Sequence, residues 1–225
     1  MAKLTFLGAV EGVTGSAYLL ETGVSTVLLD CGLYQGRREE EKENEEPFPF
    51  EVKKLDCVVL SHAHLDHSGR LPKLCAEGFS GPIFMTRPTS DLLEVMLKDA
   101  ASLQERDVEW ENKRRRRAGK SEIEPLYTLE DVDATLAQCV GFNYGQRMAV
   151  ADNVDVCFRD AGHILGSAIV EVFVTEQGVQ KTLVFSGDLG NSFAALLKDP
   201  EIVESADVLL LESTYGDRDH RPMDE

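Results

Sequence analysis

Three of the chain's five histidines fall within six residues, in the run His62-Ala-His64-Leu-Asp66-His67. Imidazole nitrogens and carboxylate oxygens at this density are ligands for a divalent cation of the zinc type, and less specifically for iron or manganese. On an extended segment, residues two apart face the same way, so His62 and His64 are expected to address one metal together. A bend after His64 would make Asp66 and His67 project differently, which suits a second metal beside the first. Gly69 permits a tight turn into a following helix. A single histidine is usually structural or solvated. Burying this many polar groups together is costly without a metal or dense hydrogen bonding, so packing does not account for the hexapeptide.

Two further segments repeat one grammar, a strand followed by glycine and a ligand-type residue. They are Asp160-Ala-Gly162-His163-Ile-Leu-Gly166-Ser167 and Phe185-Ser-Gly187-Asp188-Leu-Gly190. Asp30-Cys31-Gly32 follows it a third time. Polar residues on glycine-flexible loops at strand ends are where α/β layers build their sites. Taken singly, each of these aspartates could equally cap its own turn.

The elements that would position these groups are legible from periodicity. Lys3–Leu7, Ala17–Glu21 and Thr26–Asp30 read as short strands between Gly-rich turns. Residues 36–51, polar and closed by Pro47 and Pro49, read as an exposed loop. Asp56–Leu60 is a buried strand running straight into Ser61 and His62, Arg70–Ala76 a helix, and Pro82–Met85 another strand. From Thr89, Leu92, Leu93, Met96, Ala100 and Leu103 recur at helical spacing, with Leu92, Met96, Ala100 and Leu103 expected in the core. One long helix is expected to run through Trp110 towards Arg117 and stop at Gly119. Thr128 and Asp131 have capping-box spacing and should open a second helix to about Gln138. Strands then return at Val154–Arg159, Ala168–Thr175, Lys181–Phe185 and Val208–Leu211. Strands, a helical block at about 87–140 and strands again predict an α/β layered domain with a helical excursion in its middle.

Composition narrows the function classes. An apolar fraction of 43% with 28% charged residues is that of a globular protein. Apolar stretches such as Val208–Leu211 are far too short to span a membrane, and five irregularly spaced cysteines make neither a disulfide framework nor a Cys-type zinc site. A cytoplasmic location is the default expectation, and a homo-oligomer is compatible with the composition. With 40 acidic and 23 basic residues the net charge is −17, which excludes nucleic-acid binding through general basic charge. The imbalance is uneven: residues 39–51 are acidic, whereas 113–117 read Lys-Arg-Arg-Arg-Arg. Any nucleic-acid contact must rest on such local fields, with Arg114, Arg115, Arg116 and Arg117 the candidates; at a helix C-terminus, the same four cations also favour the helix dipole.

The motif from His62 to His67 resembles the HxHxDH signature of the metallo-β-lactamase superfamily. Gly162–Ser167 and Leu211-Glu212-Ser-Thr-Tyr-Gly-Asp217 resemble, more narrowly, its β-CASP branch of RNA-processing nucleases. The resemblance implies an αββα sandwich, here incomplete, spanning residues 1–225. In that branch the chain continues into a cap and returns with two more histidines. Residues 216–225, His220 among them, would then begin the linker to that cap. The resemblance also implies two zinc ions, one held by His62, His64 and His163, the other by Asp66 and His67, with Asp188 bridging. Asp30 would fix the orientation of these groups from behind, with Asp66 and Glu212 as catalytic residues and Glu212 helping to protonate the leaving group. The activity implied is a zinc-dependent hydrolase, a ribonuclease cleaving RNA phosphodiesters through a metal-bridging hydroxide. Two alternatives stand beside it: an esterase or thioesterase on a small substrate, and a catalytically incomplete fragment that binds metal or RNA without turnover.

Overall fold

Alternating apolar residues in the first thirty positions form β1 (Lys3–Phe6), β2 (Tyr18–Glu21) and β3 (Thr26–Leu29), paired antiparallel in that order. The computed structural model describes residues 2–10, 12–192 and 195–217; the expected linker residues 218–225, with His220, lie outside them. Parallel strands β4 (Cys57–Val59), β5 (Ile83–Thr86) and β6 (Cys139–Phe142) extend the first sheet to six, in chain order. A second sheet runs β11 (Val208–Leu210), β10 (Val179–Phe185), β9 (Ala168–Glu176), β8 (Val154–Asp160) and β7 (Arg147–Ala151).

The side-chain period of two sorts each strand between two cores. Val27, Leu29, Cys57 and Val59 face the second sheet and meet Val156, Phe158, Val170 and Phe185. Leu28, Val58, Leu60, Ile83 and Met85 face the other way, onto Leu71, Leu74, Leu93, Leu97 and Val132 of the helices. A sheet covered on both faces explains why β3, β4 and β5 are continuously apolar. The far face of the second sheet is covered more thinly, by Leu189 and Val203 over Ala161, Ile169 and Val184. Among the described residues the sandwich is thus helix, sheet, sheet and an irregular outer strap, the incomplete αββα expected. No described helix is long and apolar enough to cross a membrane.

The helices are α1 (Arg38–Glu41), α2 (Leu65–Ser68), α3 (Leu71–Ala76), α4 (Arg87–Arg117) and α5 (Leu129–Leu136). Thr128 caps α5 through the expected capping box with Asp131. Helix α4 ends at Arg117, and Gly119 follows with φ +68°, the left-handed geometry that stops a helix. Its buried stripe is Leu93, Leu97, Ala100 and Ala101; Leu92 and Met96 pack at its margin, and Leu103 is 46% exposed. The expected core phase therefore drifts off by Leu103, because the helix outruns the sheet it packs on.

Residues 36–51 are not simply a solvated loop. The acidic side chains face water, but Asn44 is buried and exchanges two hydrogen bonds with the Tyr34 main chain (2.8 and 2.9 Å). The Lys73 ammonium donates to the carbonyls of Asn44 and Glu46, and Phe48 and Phe50 pack on the helical core. Strands β6 and β7 were not expected.

Candidate metal centre

The candidate ligands leave the ends of β3, β4, β8 and β10, which the two sheets bring to one rim. Beyond β4 the chain bends after His64, as expected. His64 is the N-cap of α2, and Asp66 and His67 sit in its first turn. His62 and His64 address one point together, His62 Nε2 lying 3.1 Å from His64 Nδ1. His163, from the loop after β8, places Nε2 3.2 Å from the same His64 Nδ1. Asp188, after β10, sets Oδ2 3.7 Å from His62 Nε2 and 3.5 Å from His163 Nε2.

These four distances run from 3.1 to 3.7 Å, and one donor atom from each of the four residues lies within 4.8 Å of the others, close enough to share one cation. A tetrahedron with zinc–nitrogen and zinc–oxygen bonds of about 2.0–2.1 Å has edges of about 3.3 Å, so small shifts would close the set on a metal. The donor set, three imidazoles and a carboxylate, is that of a borderline divalent metal. Asp188 also faces a second position: its Oδ1 is 3.2 Å from His67 Nε2, and Asp66 Oδ2 is 3.8 Å from that nitrogen. The two carboxylate oxygens of Asp188 thus point to opposite sides, a bridging arrangement. The first position gathers four donors and the second three.

Asp30 organises the back of this cluster. It is fully buried and takes φ +57°, a costly conformation for a side-chain-bearing residue. Its Oδ1 accepts the Ser61 N–H (2.8 Å); its Oδ2 accepts the Ser61 hydroxyl (2.9 Å) and the Ser16 hydroxyl (3.2 Å) and lies 2.6 Å from His67 Nδ1. Ser61 Oγ also lies 3.0 Å from His62 Nδ1. The pattern assigns a proton to Nδ1 of both rings, directly against Asp30 for His67 and through Ser61 for His62, and turns each Nε2 towards the cluster, where it could bind a cation in place of a proton. Gly32 admits this packing, since a Cβ there would lie 1.6 Å from the Asp66 carbonyl oxygen.

Burial, and then the charge of His67, push His62 well below the usual histidine range, keeping it a neutral donor. Burial and then His163 lower His64 as well. Burial also opposes charge on His67, but Asp30 and Asp188 outweigh it and raise the ring to about 10. Asp188 is pushed up by burial, yet the hydrogen bond and charge of His67, with His62 and His163, bring it down to about 2. The site is therefore built to surround positive charge with carboxylates, and a cation between the same groups would supply that charge.

Ser167 was quoted only as part of a motif; its buried hydroxyl accepts the N–H groups of His163 (3.0 Å) and Ile164 (3.2 Å), fixing the loop. Thr86 and Thr89, at the start of α4, donate to the Gly166 carbonyl (2.6 and 2.8 Å) from the other side. Ser16, Ser61 and the two threonines were missed; only Ser61, abutting the hexapeptide, carried a local signal.

Glu212 follows β11 and shares with His67 and Asp188 the lining of a cleft of about 510 Å³. Its Oε1 accepts the Leu189 N–H (2.6 Å), next in chain to Asp188, and its Oε2 accepts the Thr214 hydroxyl (2.8 Å). Arg114–Arg117 end α4, whose opposite end abuts the His163 loop. Arg115 donates to the Ser121 carbonyl (2.5 Å) and Arg116 pairs with Glu122 (2.9 Å), so both turn to the chain after the helix.

A family model described as the metallo-beta-lactamase superfamily matches residues 10–141. The chain is 44% identical over 223 residues to a ribonuclease of Thermus thermophilus, covering 99% of this chain and 46% of that protein. It is 30% identical over 216 residues to the transcription termination factor FttA of Methanocaldococcus jannaschii, covering 95% of this chain and 31% of that protein. The chain thus spans less than half the length of these relatives. Among solved structures it is similar to a metallo-beta-lactamase of Cronobacter sakazakii, with TM-score 0.50 and 18% identity over 80% of this chain and 55% of that one, a likeness of fold.

Proposed function

The chain belongs to the metallo-β-lactamase superfamily, its relatives to the β-CASP branch, and on that premise we propose that it cleaves RNA phosphodiester bonds with two zinc ions. One observation carries the reading: His62, His64, His163 and Asp188 each place a donor atom within 4.8 Å of the others, while Asp188 turns its second oxygen to His67. The ribonuclease relative supports RNA as the substrate class.

His62, His64, His163 and Asp188 would hold one zinc, and Asp66, His67 and Asp188 the second. Bound there, the metals supply Lewis acidity and lower the pKa of a water molecule to about 7. The protein's own groups do the rest. Asp30 holds His67 directly, and His62 through Ser61, in the tautomer that presents Nε2. Asp66 and Asp188 orient the attacking water. Glu212 is anchored through Oε1 by the Leu189 N–H, while Oε2 accepts the rotatable Thr214 hydroxyl. Oε2 is therefore the oxygen to carry a proton to the leaving 3′ oxygen. The cleft beside Asp188, His67 and Glu212 is where the scissile strand would lie.

The test is cleavage of an end-labelled RNA by the zinc-loaded chain, with a chelated control and a small thioester in parallel. RNA cleavage that the chelator abolishes is expected. Thioester turnover without RNA cleavage, or two bound zinc ions with no turnover of either, would overturn the reading. Glu212→Gln should lower kcat by about 10²–10⁴-fold at unchanged metal content. Loss of zinc in that variant would instead make Glu212 a ligand.

A further inference from the structure

Trp110 is the chain's one tryptophan, and it is 66% exposed near the C-terminal end of α4. It lies on the side opposite the buried Leu93, Leu97, Ala100 and Ala101. A single exposed apolar side chain is ordinary. Its neighbours make this one unusual. Residues three, four and seven apart share a helix face, so Arg106, Trp110, Lys113, Arg114 and Arg117 form one stripe, every member exposed.

The cations on this stripe are engaged to different degrees. Arg106 Nε donates to the Ser102 carbonyl of its own helix (3.2 Å), Lys113 pairs with Glu109 (3.0 Å), and Arg114 reaches Glu111 only at 3.6 Å. Arg117 makes no ion pair with a described residue. Asp107, Glu109 and Glu111 are the acidic side chains interspersed with them. In a chain of net charge −17, four cations around an open indole are a local reversal of sign. An indole face stacks on an unpaired base, and guanidinium and ammonium groups take the phosphates on either side. A duplex would leave the indole unused.

Helix α4 ties this stripe to the catalytic rim. Thr89, near its start, donates to the Gly166 carbonyl of the His163 loop. Trp110 lies 21 residues further along the helix, roughly 30 Å at 1.5 Å per residue. Several nucleotides of extended strand cover that span.

We propose that Trp110, with Arg106, Lys113, Arg114 and Arg117, is an exosite for single-stranded RNA that stacks one unpaired base some 30 Å along α4 from the His163 loop. The inference rests on the RNA-cleaving reading for its substrate class, and its test is independent of cleavage.

Because the indole is unique, its own emission reports the site. The 225-residue chain is titrated in metal-free buffer at low salt with a uridine 20-mer, reading tryptophan fluorescence and the anisotropy of a labelled oligonucleotide together. The expected result is quenching with the same midpoint as the anisotropy change. Trp110→Ala should weaken binding at least about five-fold, with Trp110→Phe recovering most of it. The double variant Arg114→Ala, Arg117→Ala should reduce the slope of log affinity against log salt by about 1.4. Circular dichroism verifies that each variant is folded. RNA binding without quenching, unchanged affinity in Trp110→Ala, or quenching by polyglutamate but not RNA would each overturn the exosite, the last in favour of an acidic protein partner. Quenching by RNA in a chain that hydrolyses none when zinc-loaded would support the exosite and defeat the cleavage reading.

Discussion

His64→Ala is expected to lower metal affinity by more than about 100-fold and to abolish hydrolysis. Partners that merely orient a ligand are worth 10–100-fold, and His64 Nδ1 stands at the centre of the cluster, 3.1 Å from His62 Nε2 and 3.2 Å from His163 Nε2. The side chain is only half-buried, so its removal leaves little cavity and the fold should persist. Metal content by elemental analysis after dialysis, beside thermal unfolding, separates the two effects. Unchanged metal loading in this variant would defeat the assignment of His64 as a ligand.

Asp30→Ala should cost stability as well as metal. The substitution strands the Ser61 N–H, the hydroxyls of Ser61 and Ser16 and the His67 ring, all inside the protein. Breaking one side of such a buried pair costs about 3–5 kcal/mol, and alanine inherits the unfavourable φ of +57°. Asp30→Asn is the sharper probe. Its amide oxygen can still accept the Ser61 N–H, but its NH₂ meets a hydroxyl and a ring N–H that also donate. We expect a loss of about 1–3 kcal/mol in urea unfolding and a 10–100-fold loss of metal affinity. A variant as stable and as metal-avid as the parent would show that Asp30 does not orient the ligands.

Residue type carried the chemistry in the sequence, and distance along the chain hid its support. Histidines and aspartates at glycine-flanked strand ends are conspicuous because packing has no other use for them there. The serines behind them are not. Ser16 and Ser61 reach Asp30 across 14 and 31 residues, and only the position of Ser61 beside the hexapeptide marks either hydroxyl locally. The long helix was legible because its period is sustained and Gly119 stops it; its inner stripe was misphased only at Leu103. Strands β6 and β7 escaped notice because their apolar patterns are weak. Gly141 interrupts the first, and the second alternates weakly around a register shift between Ala149 and Ala151. The segment 36–51 misled for another reason. Its composition describes the face it shows to water, whereas Lys73, arriving from α3, anchors its underside.

The arrangement also bears on how an acidic protein handles a polyanion. The net charge of −17 would repel RNA at long range. On the proposed reading the cations that count are local, metal ions at the rim and a stripe on α4, and RNA binding should then weaken with salt in proportion to a few contacts.

Anomalous diffraction from crystals grown with zinc tests the central claim most directly. The account predicts a peak about 2.0–2.1 Å from His62 Nε2, His64 Nδ1, His163 Nε2 and an Asp188 oxygen, with a second beside His67 Nε2 and Asp66. Zinc bound elsewhere, with His62, His163 and Asp188 sharing no ion, would contradict it.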